Sequence, residues 1–132
     1  MPQPQGSSST AGGRLDGSIG TAVAASNFAF GAGWGASTVS AVATGSTDQR
    51  GQITITCATG GGLAQATATL TFTFADGAYA SAPWIIPHST NSNGVDTGKW
   101  DVTTRTTTTV VLTFSVLPVN AATYKLGWII VA

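Results

Sequence analysis

From Ala66 to Phe74 the chain reads A-T-A-T-L-T-F-T-F, with an apolar residue at every even position and threonine at every odd one. Successive strand side chains point to opposite faces, so this stretch predicts a strand with one dry face and one hydroxyl face. A period of 3.6 would smear both sets around a helix. Threonine is β-branched and fits a pleated surface, so local preference agrees with the pattern.

The same period governs the chain from Ser37 onward. Val39, Ala41 and Ala43 alternate with polar or small residues, and G-S-T-D-Q-R-G is a polar turn. Ile53, Ile55 and Cys57 share a face opposite Thr54 and Thr56. Asp76-Gly77 is a tight-turn dipeptide between apolar flanks and predicts a hairpin. Pro83 and Pro87 cannot donate ladder hydrogen bonds, which places A-P-W-I-I-P-H at a sheet edge or bulge. Trp100 to Arg105 and Val110 to Val116 return as strands, and Tyr124, Leu126, Trp128 and Ile130 alternate to the end. A final strand that apolar is expected to be central and paired. Six to seven short strands at this spacing predict an all-β fold, an antiparallel β-sandwich of jelly-roll type.

The first part of the chain reads differently. Leu15, Ile19 and Val23 recur at helical spacing, but Gly17 and Gly20 interrupt the turn. N-F-A-F-G-A-G-W-G then sets aromatics on a glycine-rich backbone, expected to pack over one end of a sheet. Residues before about 14 are mostly Gln, Pro, Ser, Gly and Thr, which bury too little apolar surface to fold alone. The expected organisation is an extended N-terminal arm over 1–18, held in order by a partner, and a β-sandwich domain over 19–132.

Composition narrows the function. Only 8% of the 132 residues are charged, glutamate is absent, and five basic side chains balance five aspartates. Such a chain has no electrostatic reason to approach nucleic acid or an anionic membrane. Near-zero charge also removes the repulsion that keeps copies apart. The lone Cys57 lies in phase with Ile53 and Ile55 and reads as a buried thiol.

Catalytic and metal chemistry find little to use. His88 is the only histidine. Ser89, Ser92, Asp96 and Asp101 lie near it in sequence, but no G-x-S-x-G elbow accompanies them. Asp96 and Asp101 show no means of raising one pKa for a glycosidase pair. N-S-N-G-V-D offers oxygens to calcium without EF-hand spacing, and a solvated loop is the plainer reading. No three or four ligands cluster for zinc. Threonine pairs such as Thr54/Thr56 resemble ice-binding arrays but lack a repeat in register. The residues thus predict neither enzyme nor cofactor.

Several segments together resemble a known group. They are I-G-T-A-V-A-A-S (19–26), G-W-G (33–35), T-D-Q-R-G-Q-I-T-I-T (47–56), T-L-T-F-T-F-A-D-G-A-Y-A-S-A-P (69–83), W-D-V-T-T-R-T-T-T-T (100–109) and Y-K-L-G-W-I-I-V (124–131). This string is similar to small β-sandwich virion modules of tailed bacteriophages, found in tail-fibre tips and as capsid decoration proteins. The resemblance implies a homotrimer. It transfers no catalytic residue.

With only about 18 residues ahead of the similarity, the expected role is a decoration (cement) protein on the outer capsid surface, assembled in the host cytoplasm. Its arm residues Pro2, Gln3, Pro4, Gln5 and Arg14 are expected to contact the major capsid protein by strand addition or groove filling. Trp34, Trp84 and Trp100 are candidates for trimer or sheet-end packing, with core burial the simpler assignment for each. The alternative is a fibre tip that binds a host-surface glycan through exposed aromatics and the His88, Asn91, Asn93 and Asp96 loop.

Overall fold

A computed structural model of the protein describes residues 20–31, 33–58, 68–89, 100–115 and 117–132. It is all-β. Among the described residues a 3₁₀ turn, Ala25–Asn27, precedes eight strands: β1 (Phe28–Phe30), β2 (Val39–Val42), β3 (Arg50–Thr56), β4 (Ala68–Thr73), β5 (Trp84–Ser89), β6 (Trp100–Arg105), β7 (Thr109–Phe114) and β8 (Thr123–Val131). They form two antiparallel four-stranded sheets, ordered β1-β4-β7-β6 and β2-β3-β8-β5.

Alternation supplies both inner faces. Ala68, Leu70 and Phe72 of β4 and Val110, Leu112 and Phe114 of β7 are buried from one sheet. Ile53 and Ile55 of β3 and Tyr124, Leu126, Trp128 and Ile130 of β8 are buried from the other, in one continuous cluster. Two sheets closing on one core are consistent with a β-sandwich. Each of the Val, Leu, Ile and Phe side chains among them contributes roughly 1.5–3 kcal/mol of burial. The threonines of β4 stay on the opposite, half-exposed face, as the alternation predicts.

Several expectations need correction. Strands among the described residues number eight, because Phe28–Phe30 pairs with β4 in a stretch whose glycines hid its period. The strand order is not that of a jelly roll. β1, β4, β7 and β6 in one sheet, with β5, β8 and β3 in the other, follow the pairing scheme of immunoglobulin-type sandwiches, β3 standing where the last strand would be. The Tyr124 hydroxyl, which accepts the Val119 N–H at 3.0 Å across the β7–β8 corner, matches the tyrosine corner of such folds. Asp76-Gly77 is a turn, with Gly77 at φ 91°, yet no hairpin flanks it. The chain there crosses between sheets, since β4 pairs with β1 and β7 while β5 pairs with β8. β2 faces the other way from its apolar alternation, with Val39 and Ala41 exposed and Val42 half-buried against the core.

Other expectations hold. β8 is central, paired along its length with β3 and β5. β5, with Pro87, is an edge strand. Cys57 is buried. Apart from these expectations, no helix among the described residues is long and apolar enough to cross a membrane.

Candidate functional site

The outer face of the β2-β3-β8-β5 sheet departs from the polar exterior of an ordinary antiparallel sheet. In the β5–β8 register Trp84 lies opposite Val131, Ile86 opposite Ile129 and His88 opposite Gly127. These positions point away from the core. Trp84, Ile86, Ile129 and Val131 are between 40 and 66% exposed, an unusual state for four large apolar side chains in adjacent rows. Arg50 of β3 sits beside Ile129 in the next strand.

Two contacts shape this face. The Arg105 guanidinium lies 3.8 Å from the centroid of the Trp84 ring. It also donates to the Pro83 carbonyl at 3.0 Å, so one side chain from β6 fixes the start of β5. Trp84 is thereby held from one side while much of it stays open to solvent. Further along, the His88 imidazole lies over Gly127: a Cβ there would stand 2.3 Å from His88 Nε2. The glycine lets the ring lie on the sheet and continue the flat surface. Pro87 removes one backbone donor from this edge, which disfavours strand addition there. The face, not the edge, is the available contact.

A second feature is buried. Asp48, with no solvent exposure, accepts the Ala75 and Asp76 backbone N–H groups at 2.7 Å each. Burial raises its pKa, and those two donors offset part of the rise. Tyr79 is pushed up to about 12, chiefly by burial and then by Asp48 and Asp76. A small groove of about 110 Å³ beside them is lined by Gln49 and residues 76–79. Among the described residues no group of His, Cys, Asp or Glu could hold a metal ion. A carboxylate enclosed between backbone amides is a brace between two loops, with its oxygens already occupied.

The candidate residues separate sharply. Trp34 and Trp100 are buried and stack at 5.9 Å, and Trp34 also lies 5.6 Å from Phe114 and donates its indole N–H to Thr69 O at 2.9 Å. Both are therefore core residues, the simpler of the two assignments that the sequence allowed for them. Trp84 and His88 are exposed on one face. Asn91, Asn93 and Asp96 lie outside the described residues, as do Pro2, Gln3, Pro4, Gln5 and Arg14.

Ile86, Ile129 and Val131 were not among the candidates. Their signal was present as unbroken apolar runs, W-I-I in β5 and W-I-I-V in β8. In an antiparallel sheet with one solvated face, such a run must set some apolar side chains outward. No protein-family model matches this chain, and neither a curated protein nor a solved structure matches it significantly.

Proposed function

We propose that this protein is a structural virion component with no catalytic role: a homotrimeric decoration (cement) protein on the outer surface of a tailed-phage capsid. The observation that carries the reading is the apolar outer face formed by Trp84, Ile86, Ile129 and Val131. A patch of that kind on a chain of zero net charge favours contact with protein surfaces. The sandwich of residues 19–132 forms the trimer, and residues 1–18 serve as the arm that binds the major capsid protein. Binding to the assembled lattice and not to loose subunits stabilises the lattice by mass action.

Co-sedimentation with emptied capsids tests this directly. The full chain is expected in the capsid pellet, and a chain lacking residues 2–14 in the supernatant as an intact oligomer. Full occupancy by the truncated chain overturns the arm's role, and absence of the full chain from the pellet overturns decoration.

A second reading rests on one observation, the open side of Trp84 on the same face of β5 as the exposed His88, with Ile86 between them. Such a platform suits stacking of a sugar ring, as in a fibre tip that recognises a host-surface glycan. Binding of the isolated protein to host cells, lost in Trp84→Ala, supports this reading over decoration.

A further inference from the structure

Three aspartates lie among the described residues, and their surroundings differ. Asp48 is buried, with both carboxylate oxygens held by the Ala75 and Asp76 N–H groups. Asp101 is exposed but lies within β6 and precedes the β-branched Val102. Asp76 is exposed on a turn and precedes Gly77.

Gly77 leaves its own nitrogen open. It sits at φ 91°, and a Cβ built on it would meet nothing within 4 Å. Among the described residues nothing accepts its N–H. The groove of about 110 Å³ lined by Gln49 and residues 76–79 brings water to the same place. The carboxyl group of Asp76, by contrast, is wedged against the entry segment. The Thr21 N–H donates to its Oδ1 at 2.7 Å, and a Cβ on Gly20 would stand 2.5 Å from its Oδ2. That hold must loosen before the carboxyl can turn toward Gly77.

We infer that Asp76-Gly77 is a site of spontaneous isoaspartate formation, gated by residues 20–21. The Gly77 nitrogen attacks Asp76 Cγ and gives up its proton, one carboxyl oxygen leaves as water, and a five-membered succinimide closes. Water then adds to one of the two ring carbonyls. Breaking the bond from nitrogen to Cγ restores aspartate, and breaking the bond from nitrogen to the main-chain carbonyl carbon yields isoaspartate. No oxidant, reductant or partner is needed. In the isoaspartyl product the chain runs through Cγ, so the crossover from β4 to β5 gains one methylene and the free carboxylate hangs from Cα. The oxygen that held Thr21 becomes an amide oxygen on a longer chain. The entry segment keeps its bonds to residues 46 and 47 but loses its carboxylate anchor.

Peptide mapping with electron-transfer fragmentation tests the site on the full chain, stored for weeks at physiological temperature and mildly acidic pH. This fragmentation separates isoaspartate at 76 from the same product at Asp16 and Asn93, which also precede glycine and lie outside the described residues. Isoaspartate at 76 is expected to accumulate in the wild type and to form far more slowly in Gly77→Asn, where asparagine tolerates the positive φ but shields the nitrogen. Thr21→Pro removes the donor and is expected to raise the rate severalfold. Near-ultraviolet circular dichroism establishes that each variant is folded. In the isolated isoaspartyl form, the Thr21 amide is expected to exchange with solvent faster than in the starting protein. A wild type without isoaspartate at 76, or a Gly77→Asn rate equal to it, overturns the site. Unchanged Thr21 exchange in the isoaspartyl form, or a folded Thr21→Pro no faster than wild type, overturns the gate.

Discussion

The carboxylate of Asp48 accepts the backbone N–H of Asp76 at 2.7 Å, and of Ala75 at the same distance, so the β2–β3 loop grips the crossover between the two sheets. Neighbouring atoms of that loop do similar work. Thr47 O accepts the Trp128 indole N–H at 3.1 Å, Ser46 O accepts the Val23 N–H at 3.0 Å, and Gln49 O accepts the Ile130 N–H at 2.8 Å. Residues 46–49 therefore tie the strand-like entry segment, the last strand and the crossover to one point. A buried carboxylate is costly unless its oxygens are satisfied, and here two donors satisfy them.

Asp48→Asn keeps the shape of this brace but replaces one acceptor oxygen by an N–H₂ group that faces a backbone donor. A buried donor left without an acceptor costs about 1–3 kcal/mol. Urea unfolding followed by tryptophan fluorescence is expected to show a loss of that size with an unchanged slope against urea. A loss under about 0.5 kcal/mol, roughly the scatter of surface substitutions, shows that the brace carries no stability.

The pH dependence of stability follows from the raised pKa of Asp48. Between the ordinary aspartate value of 3.8 and its folded value, the folded chain holds a proton that the unfolded chain has released. The contribution of this group is full below 3.8, declines as pH rises through the folded pKa, and is constant above it. Unfolding free energies measured across mildly acidic pH are expected to fall more steeply with rising pH in the wild type than in Asp48→Asn. Identical slopes for the two proteins refute the assignment.

Two glycines predict opposite outcomes for the same substitution. A Cβ on Gly51 would stand 2.3 Å from Trp128 Cζ2 and 2.6 Å from Ser46 Cβ, both buried and held. Overpacking of that kind costs about 1–3 kcal/mol, occasionally more. The three atoms nearest a Cβ on Gly127 all belong to the exposed His88 imidazole, which can swing into solvent. Thermal melts are expected to show Gly51→Ala strongly destabilised and Gly127→Ala close to wild type. In a Gly127→Ala, His88→Ala double variant the residual cost of the first change should vanish.

Much of this architecture was legible because the core faces obey a strict period of two. Ala68 to Phe72, Val110 to Phe114 and Tyr124 to Ile130 point inward as their alternation states. Legibility failed where two signals competed. β1 is three residues among glycines, too short to display a period. Asp76-Gly77 has hairpin chemistry, but local turn preference cannot say whether the next strand joins the same sheet. Asp48 looked like one polar residue in a polar turn. Its burial arises from Ala75 and Asp76, 27 and 28 positions away, and no local pattern encodes that meeting. The exposed patch was written in the W-I-I runs, but an apolar run by itself does not say whether its outward side chains meet solvent or a neighbour.

Arg105 and Trp84 join β6 to β5 at the open side of the sandwich, where no ladder hydrogen bonds connect the two sheets. A guanidinium over an indole at a partly exposed site contributes about 0.5–1 kcal/mol, and the bond to Pro83 O adds to it. Arg105→Ala is expected to lower stability by roughly 1–2 kcal/mol on that sum. Lysine can offer its charge to the ring but cannot stack a planar group while bonding Pro83 O, so Arg105→Lys should recover only part of the loss. The same substitution frees the Trp84 ring, and its fluorescence should become more readily quenched by acrylamide. Unchanged stability together with unchanged quenching in Arg105→Ala refutes the clamp.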